Sequence, residues 1–144
     1  MRDILEYGKS FSLKFPDGAF TVLYFYPRDN TPGCTKEALD FSAKASEFRK
    51  LEARVIGVSQ DSLASHEKFR EKHGLKFALV SDPAGELCDK FGVIQLKSLY
   101  GRKFKGIVRS TFVLDAKGKT LKEWTKVKVP GHVEEVLAFL KDQR

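Results

Sequence analysis

Three short apolar runs separated by helix-forming segments constrain this 144-residue chain more than any other feature. TVLYFY (21–26), RVIGVS (54–59) and FALVS (77–81) are rich in β-branched and aromatic residues and lack the strict alternation of a half-exposed strand. Such runs fit strands buried on both faces. After the first, Cys34, Ala38, Phe41, Ala45 and Phe48 recur at spacings of four and three, which places them on one face of a helix. That helix begins at or just before Cys34 and runs to about Glu52. A second is expected from a cap at Asp61 or Ser62 to about His73, with Gly74 at its end. A third is expected to start at Asp82 and Pro83 and to stop at Gly92, after Phe91. The order strand, helix, strand, helix, strand, helix implies right-handed crossovers and a parallel sheet core with helices on both faces.

The two ends differ in character. KSFSLKF (9–15) alternates as a half-buried strand, and Pro16, Asp17 and Gly18 turn it towards the first apolar run, as a hairpin partner or a neighbour. Near the other end, IVRSTFVL (107–114) reads as a strand, DAKGK (115–119) as a turn and TLKEWTKV (120–127) as a partly exposed strand, together a β-hairpin. Pro130 and Gly131 precede a final amphipathic helix with the stripe Val133, Val136, Leu137 and Leu140. The segment between Gly92 and Gly106 reads as a loop, long for a compact domain, and is expected to border the functional site or to be mobile. The length suits one α/β domain over 1–144 with a core that needs no disulfide.

Composition narrows the class. The two cysteines form no CxxC pair and no disulfide framework. No apolar run approaches a membrane span, and MRDILEYGKS lacks the apolar core of a secretory signal. The reading is a soluble protein in a reducing, cytoplasmic compartment. The net charge of +7 is spread out, and its densest stretch, with Lys97, Arg102, Lys103, Lys105 and Arg109, has no stacking motif. Solvated surface is therefore expected there, with neither nucleic acid nor membrane as partner.

The chemistry converges on PRDNTPGC (27–34). Pro27 stops the first strand, and Cys34 falls in the first turn of the helix that follows. There the free backbone N–H groups and the positive end of the dipole favour a thiolate. A thiol of pKa ~8.5 is about 3% ionised at pH 7, whereas one of pKa ~6 is about 90% ionised. The shift corresponds to ~3.4 kcal/mol. A helix terminus supplies ~0.3–1 kcal/mol, or ~2 where partly buried, so a cation is needed as well. An arginine suits, because its fork holds both a thiolate and an incoming oxygen and keeps its charge. Arg109, charged among the apolar residues of IVRSTFVL, is the best candidate; Arg28 is the alternative. Thr31 is a capping residue, or a hydroxyl that both donates to and accepts from a small polar substrate beside the sulfur. These two roles are compatible. Pro32 and Gly33 fit a rigid, closely approached pocket wall.

Other readings are weaker. Cys88, in GELCDKFG beside Leu87 and Phe91, reads as a packed, inert thiol. His66 and His73 lie on a surface-type helix among charged residues, and His132 begins the last helix, so solvated or capping roles are expected for all three. That leaves a cysteine hydrolase without a base. A zinc site built from these groups lacks a close-spaced ligand pair.

Pro27, Thr31 and Cys34 match the PxxxTxxC signature of the peroxiredoxins, and FYPRDNTPGCTKEALDF resembles the bacterioferritin-comigratory-protein, or PrxQ, branch. The resemblance continues through VIGVSQDS, LVSDPAGELCDKFGV and GIVRSTFVLDAKGK to the C-terminal helix. It implies a thioredoxin-like fold: a central mixed β-sheet flanked by helices, with an N-terminal β extension and a C-terminal β-hairpin plus helix. It also implies a thiol peroxidase acting on hydrogen peroxide and organic hydroperoxides. Cys34 would be the peroxidatic cysteine, Thr31 would hydrogen-bond the peroxide, Pro27 would shield the sulfenic acid, and Arg109 would stabilise thiolate and transition state. No metal or organic cofactor is expected, and the resemblance favours a monomer or weak dimer.

The chain departs from the branch in one respect. Many PrxQ-like proteins carry a resolving cysteine five residues after the peroxidatic one, where this chain has Leu39, or on the next helix, near Phe69 and Arg70. The expectation is therefore a one-cysteine cycle recycled by thioredoxin, by glutaredoxin with glutathione, or by another thiol. Two alternatives stay open: Cys88 as resolving cysteine after local unfolding, and a non-enzymatic peroxide sensor using the same cysteine.

Overall fold

The structure, a computed structural model, describes residues 4–8 and 19–143. In chain order these form β1 (Ile4–Glu6), β2 (Phe20–Phe25), α1 (Pro32–Ala43), α2 (Ala45–Lys50), β3 (Ala53–Ser59), α3 (Leu63–His73), β4 (Ala78–Ser81), α4 (Glu86–Lys90), β5 (Ile94–Leu99), β6 (Arg102–Ile107), β7 (Ser110–Leu114), β8 (Thr120–Thr125) and α5 (His132–Asp142). The strand expected over 9–15 and its turn at Pro16, Asp17 and Gly18 lie outside the described residues.

The three apolar runs become neighbouring parallel strands, with Tyr24 of β2 opposite Gly57 of β3 and Val58 of β3 opposite Val80 of β4. Strand β1 extends this parallel set beyond β4. On the other side β7 runs antiparallel to β2, and β8 antiparallel to β7. The six-stranded order is β1-β4-β3-β2-β7-β8, so the sheet is mixed. Strand β2 is central, flanked by β3 and β7, which is why its sequence is apolar throughout.

Alternation along β2 divides the core. Val22 and Tyr24, with Tyr26 just beyond the strand, enter one apolar cluster with Cys34, Ala38 and Phe41 of α1, Phe48 of α2, Phe69 of α3 and the α5 stripe Val133, Val136, Leu137 and Leu140. Leu23 and Phe25 enter a second, with Leu87 and Cys88 of α4 and with Val93 and Ile107. Because neighbouring strand residues point to opposite faces, Cys34 and Cys88 lie in different layers of the core. The first layer is aromatic: Tyr24 stacks on Phe41 with centroids 4.6 Å apart. Truncating Phe41 to alanine is expected to cost about 3–5 kcal/mol.

Local signals explain the element ends. Ser62 caps α3, its hydroxyl accepting the Ser65 N–H at 3.1 Å, and Gly74 closes it in the left-handed region at φ 58°. The helix expected from Cys34 to Glu52 is instead two, separated at Lys44 (φ −105°, ψ 12°). That bend lets Phe48 pack on Phe41 at 5.8 Å. The start expected at Asp82 and Pro83 is displaced: α4 begins at Glu86. Asp82 caps from a distance, accepting the N–H groups of Leu87 at 3.1 Å and Cys88 at 2.8 Å.

The loop expected between Gly92 and Gly106 is a second sheet, the antiparallel hairpin β5–β6. Most of β6 and the described side chains of β5 at Gln95, Leu96 and Ser98 are exposed, so no face-specific apolar pattern marks them. The run IVRSTFVL is not one strand: β6 ends at Ile107 and β7 starts at Ser110, with Val108 and Arg109 between them. Two histidines for which solvated or capping roles were expected are buried. His66 lies wholly inside, and His132 is bonded through Nε2 to Thr111 Oγ1 at 2.8 Å. In both cases the partners come from distant parts of the chain and supply the polar contacts that burial demands. His73 is half-buried against Phe69.

Candidate active site

The end of β2 and the start of α1 present Cys34. Thr31 occupies the cap position in extended conformation, Pro32 begins the helix, and the first intrahelical bond runs from the Thr35 N–H to the Thr31 carbonyl at 2.9 Å. Cys34 therefore sits in the first turn, among backbone N–H groups that have no intrahelical acceptor. Asn30 makes the turn into the helix at φ 63°, a left-handed conformation that asparagine tolerates better than most residues.

Arg109 arrives from the β6–β7 junction. Its Nη2 donates to Cys34 Sγ at 3.4 Å and its Nη1 to Glu37 Oε1 at 2.7 Å. The close approach depends on Gly33, since a Cβ there would lie 3.1 Å from Nη2. Arg109 thus leaves the strand run to serve two groups on α1, whereas Arg28 is exposed and contributes its carbonyl to the Thr31 hydroxyl at 3.0 Å.

Glu37 was not among the residues read from the sequence. It lies one turn beyond Cys34 on the same helix face, fully buried, and burial pushes its carboxyl up to about 7 against the opposing pull of Arg109. An acidic residue three positions after a helix-start cysteine was the available signal, but its burial depends on Arg109. Burial, reinforced by the Glu37 and Cys34 charges, also raises Tyr24 well above the ordinary tyrosine range. The Glu37 Oε2 and Tyr24 hydroxyl atoms are buried with no hydrogen-bond partner among the described residues.

Pro27, Arg28 and Thr31 line a groove of about 550 Å³ whose other wall is Lys97, Phe104, Lys105 and Ile107 of the β5–β6 hairpin, while Cys34 itself is buried and does not line it. The segment expected to border the site or to be mobile thus faces these three residues. The Thr31 hydroxyl donates to the Arg28 carbonyl and makes no capping bond to the helix. Its lone pairs remain for a ligand in the groove. Burial, and then the Arg109 charge, lower Lys97, with Cys34 acting the other way.

Cys88 is not part of this arrangement. It is buried on the opposite sheet face, where burial and then the Asp82 carboxylate raise its thiol far above the usual range. Leu39 is exposed on α1, Phe69 is buried, and Arg70 donates through Nε to the Phe77 carbonyl at 3.0 Å.

A helix-start cysteine beside a half-buried arginine, just past the end of the central strand of a mixed sheet flanked by helices, defines a thiol-based redox protein. Residues 4–122 match the AhpC/TSA family, and the chain belongs to that family, the peroxiredoxins. It is 48% identical over 137 residues to peroxiredoxin Bcp of Bacillus subtilis, covering 95% of this chain and 87% of that one. The corresponding protein of Xanthomonas campestris is 49% identical over 137 residues, with 95% and 86% covered. A solved structure of a variant of X. campestris peroxiredoxin Q superposes with a TM-score of 0.85 at 50% identity, covering 89% of this chain and 82% of that one. A variant of peroxiredoxin 6 from Arenicola marina, 21% identical with a TM-score of 0.73, shares the fold, covering 87% and 61% of the two chains. The fold is thus thioredoxin-like, and the chain is a thiol-dependent peroxidase of the Bcp/PrxQ kind. Among the described residues no helix is long and apolar enough to cross a membrane.

Proposed function

We propose that Cys34 is the peroxidatic cysteine of a one-cysteine cycle. The single observation that carries this reading is the Arg109 guanidinium shared between Cys34 Sγ and Glu37. A cation fixed there stabilises the thiolate and the charge that develops on a peroxide oxygen. Cys34 thiolate attacks the nearer oxygen of ROOH. The S–O bond forms as the O–O bond breaks, Cys34 becomes a sulfenic acid, and the departing alkoxide takes a proton to leave as ROH. Thr31 binds the peroxide, and Pro27 shields the sulfenic acid from the groove. Phe104 and Ile107 offer apolar surface to the organic part of a hydroperoxide, so both hydrogen peroxide and organic hydroperoxides fit.

Recycling uses an external thiol. That thiol condenses with the sulfenic acid to a mixed disulfide and water, and a second thiol releases the Cys34 thiolate and a disulfide. Support comes from Cys88, packed in the other core layer with its thiol held protonated, and from Leu39 at the position five residues on. Thioredoxin, glutaredoxin with glutathione, and small thiols are the reductants to compare. The test is steady-state peroxide consumption with dithiothreitol. Cys34→Ser is expected to abolish it and Cys88→Ala to retain it. Stoichiometric oxidation without turnover would mean a sensor rather than a peroxidase.

A further inference from the structure

A buried charge network outside the reacting groups holds the loop that precedes Cys34. Asp29 is buried midway along the segment between β2 and α1. Its Oδ1 accepts the Tyr26 hydroxyl at 2.6 Å, and its Oδ2 accepts the Ser65 hydroxyl at 2.8 Å and meets His66 Nδ1 at 2.7 Å. Its backbone N–H donates to Asp61 Oδ2 at 2.8 Å. The other ring nitrogen of His66, Nε2, lies 3.0 Å from the Val80 carbonyl of β4. A carbonyl can only accept, so Nε2 carries a proton. Asp29 is held below the ordinary carboxylate range: burial raises it, but the His66, Tyr26 and Ser65 contacts together outweigh that. The other ring nitrogen, Nδ1, faces Asp29 Oδ2, so the fully buried His66 ring is held at both nitrogens, by Asp29 on one side and by β4 on the other. The polar and charged groups facing it are Asp29 and Tyr26 from the β2 side, the Val80 carbonyl from β4, and Asp61 from the β3–α3 connection. Ligand atoms of Asp29, Asp61 and His66 lie within 4.8 Å of one another, yet each has a hydrogen-bond partner, so the cluster is closed on itself.

We propose that Asp29 and His66 are positioning residues for peroxide reduction: the buried His66 ring, anchored on β4, clamps Asp29 and thereby sets where Pro27 and Thr31 stand relative to Cys34. Only Asn30, in its left-handed turn, separates Asp29 from Thr31, so a shift at Asp29 is transmitted to the hydroxyl that binds peroxide. The contacts run to α3 and β4, which do not carry the reacting groups. This rests on Cys34 being the sulfur that peroxide oxidises.

Two measurements test it. In the wild-type protein with ¹⁵N-labelled histidine, Nε2 of His66 should carry a slowly exchanging proton bonded to the Val80 carbonyl, and the Nδ1 shift should move in Asp29→Asn while the ring shifts of His132 stay put. A His66 ring without a proton on Nε2, or with an Nδ1 shift indifferent to Asp29→Asn, would overturn the proposal. Second, the bimolecular rate of Cys34 sulfenate formation is followed by stopped flow at a temperature where far-UV dichroism shows a folded chain. His66→Phe is expected to slow it about 10- to 100-fold, the scale of a small misplacement of reacting groups, and His66→Asn, which keeps a donor towards Asp29, to slow it less. In an Asp29→Asn background either substitution should add little. A folded His66→Phe variant within about twofold of wild type, or effects that add fully to Asp29→Asn, would reduce the pair to a structural role. Should the phenylalanine variant not fold, His66→Asn and the wild-type ring nitrogens decide. Failure of wild-type Cys34 to oxidise would overturn the peroxidatic assignment instead, and is read separately.

Discussion

Arg109 Nη2 stands 3.4 Å from Cys34 Sγ across 75 residues of chain. The same guanidinium is anchored by Glu37, one helical turn beyond the cysteine, so the cation cannot drift from the sulfur without leaving a buried carboxylate unpaired. Cysteine, arginine and glutamate form one electrostatic unit, and most of the tests below act on it.

Removing the cation should cost rate and stability together. Arg109→Ala is expected to lower kcat/KM for peroxide by about 10²–10³, the scale seen when one preorganised donor is lost. It should also destabilise by roughly 3–5 kcal/mol where Glu37 is ionised, and by less in acid, where Glu37 can stay neutral. A gentler perturbation is Gly33→Ala, whose Cβ would lie 3.1 Å from Nη2 and displace the guanidinium. Its rate should fall severalfold while the thermal midpoint changes little.

Two buried groups give opposing pH dependences of stability. Glu37 is raised to about 7, so the folded state binds its proton more tightly than the unfolded chain does. Stability from this group is therefore lost as pH rises from about 4.5 to 7, by on the order of 3 kcal/mol. His132 is lowered to about 4 by burial, so the unfolded state binds its proton more tightly. Its contribution is lost as pH falls from about 6.5 to 4. In urea unfolding from pH 4 to 7 the wild type should show a muted slope. Glu37→Gln should reveal stability rising with pH, and a folded His132→Asn variant the reverse.

A resolving cysteine can be introduced on α1. Leu39 is exposed on α1, five residues after Cys34, farther along a helix than a disulfide spans without unwinding. Leu39→Cys is expected to form an intramolecular disulfide with Cys34 after a single equivalent of peroxide, provided the first turns of α1 open. Non-reducing peptide mapping checks this. Turnover with thioredoxin should rise relative to turnover with small thiols.

Cys88 should be dispensable for chemistry and felt in stability. Cys88→Ala removes a fully buried sulfur from the layer holding Leu23, Phe25 and Leu87. It is expected to destabilise by about 1–2 kcal/mol while leaving the bimolecular rate with peroxide unchanged. Chemical denaturation and stopped flow on one preparation separate the two effects.

How much was legible beforehand follows from where each signal is encoded. The runs that became β2, β3 and β4, the Ser62 cap, Gly74 and the α5 stripe are local patterns, and local patterns survive into the fold. The β5–β6 hairpin was missed because its described side chains are largely exposed and it carries no apolar period. Its readable mark was the turn, where Tyr100 and Gly101 both adopt positive φ, 52° and 76°, as a type I′ hairpin requires. Arg109 was singled out as a charge among apolar residues; it lies at a break between strands rather than inside one, and from there its guanidinium reaches α1. Glu37, His66 and His132 could not be read in the same way. Each is polar, sits on a helix and finds a hydrogen-bond partner in a remote segment, so its burial is a property of the assembled fold.

The most direct test is the fate of the two sulfurs after a single equivalent of hydrogen peroxide in the presence of a sulfenic-acid trap, read by mass spectrometry of tryptic peptides. The expected result is the trap on the Cys34 peptide and an unmodified Cys88. A disulfide between Cys34 and Cys88 in high yield, or the trap on Cys88 alone, would contradict the one-cysteine reading.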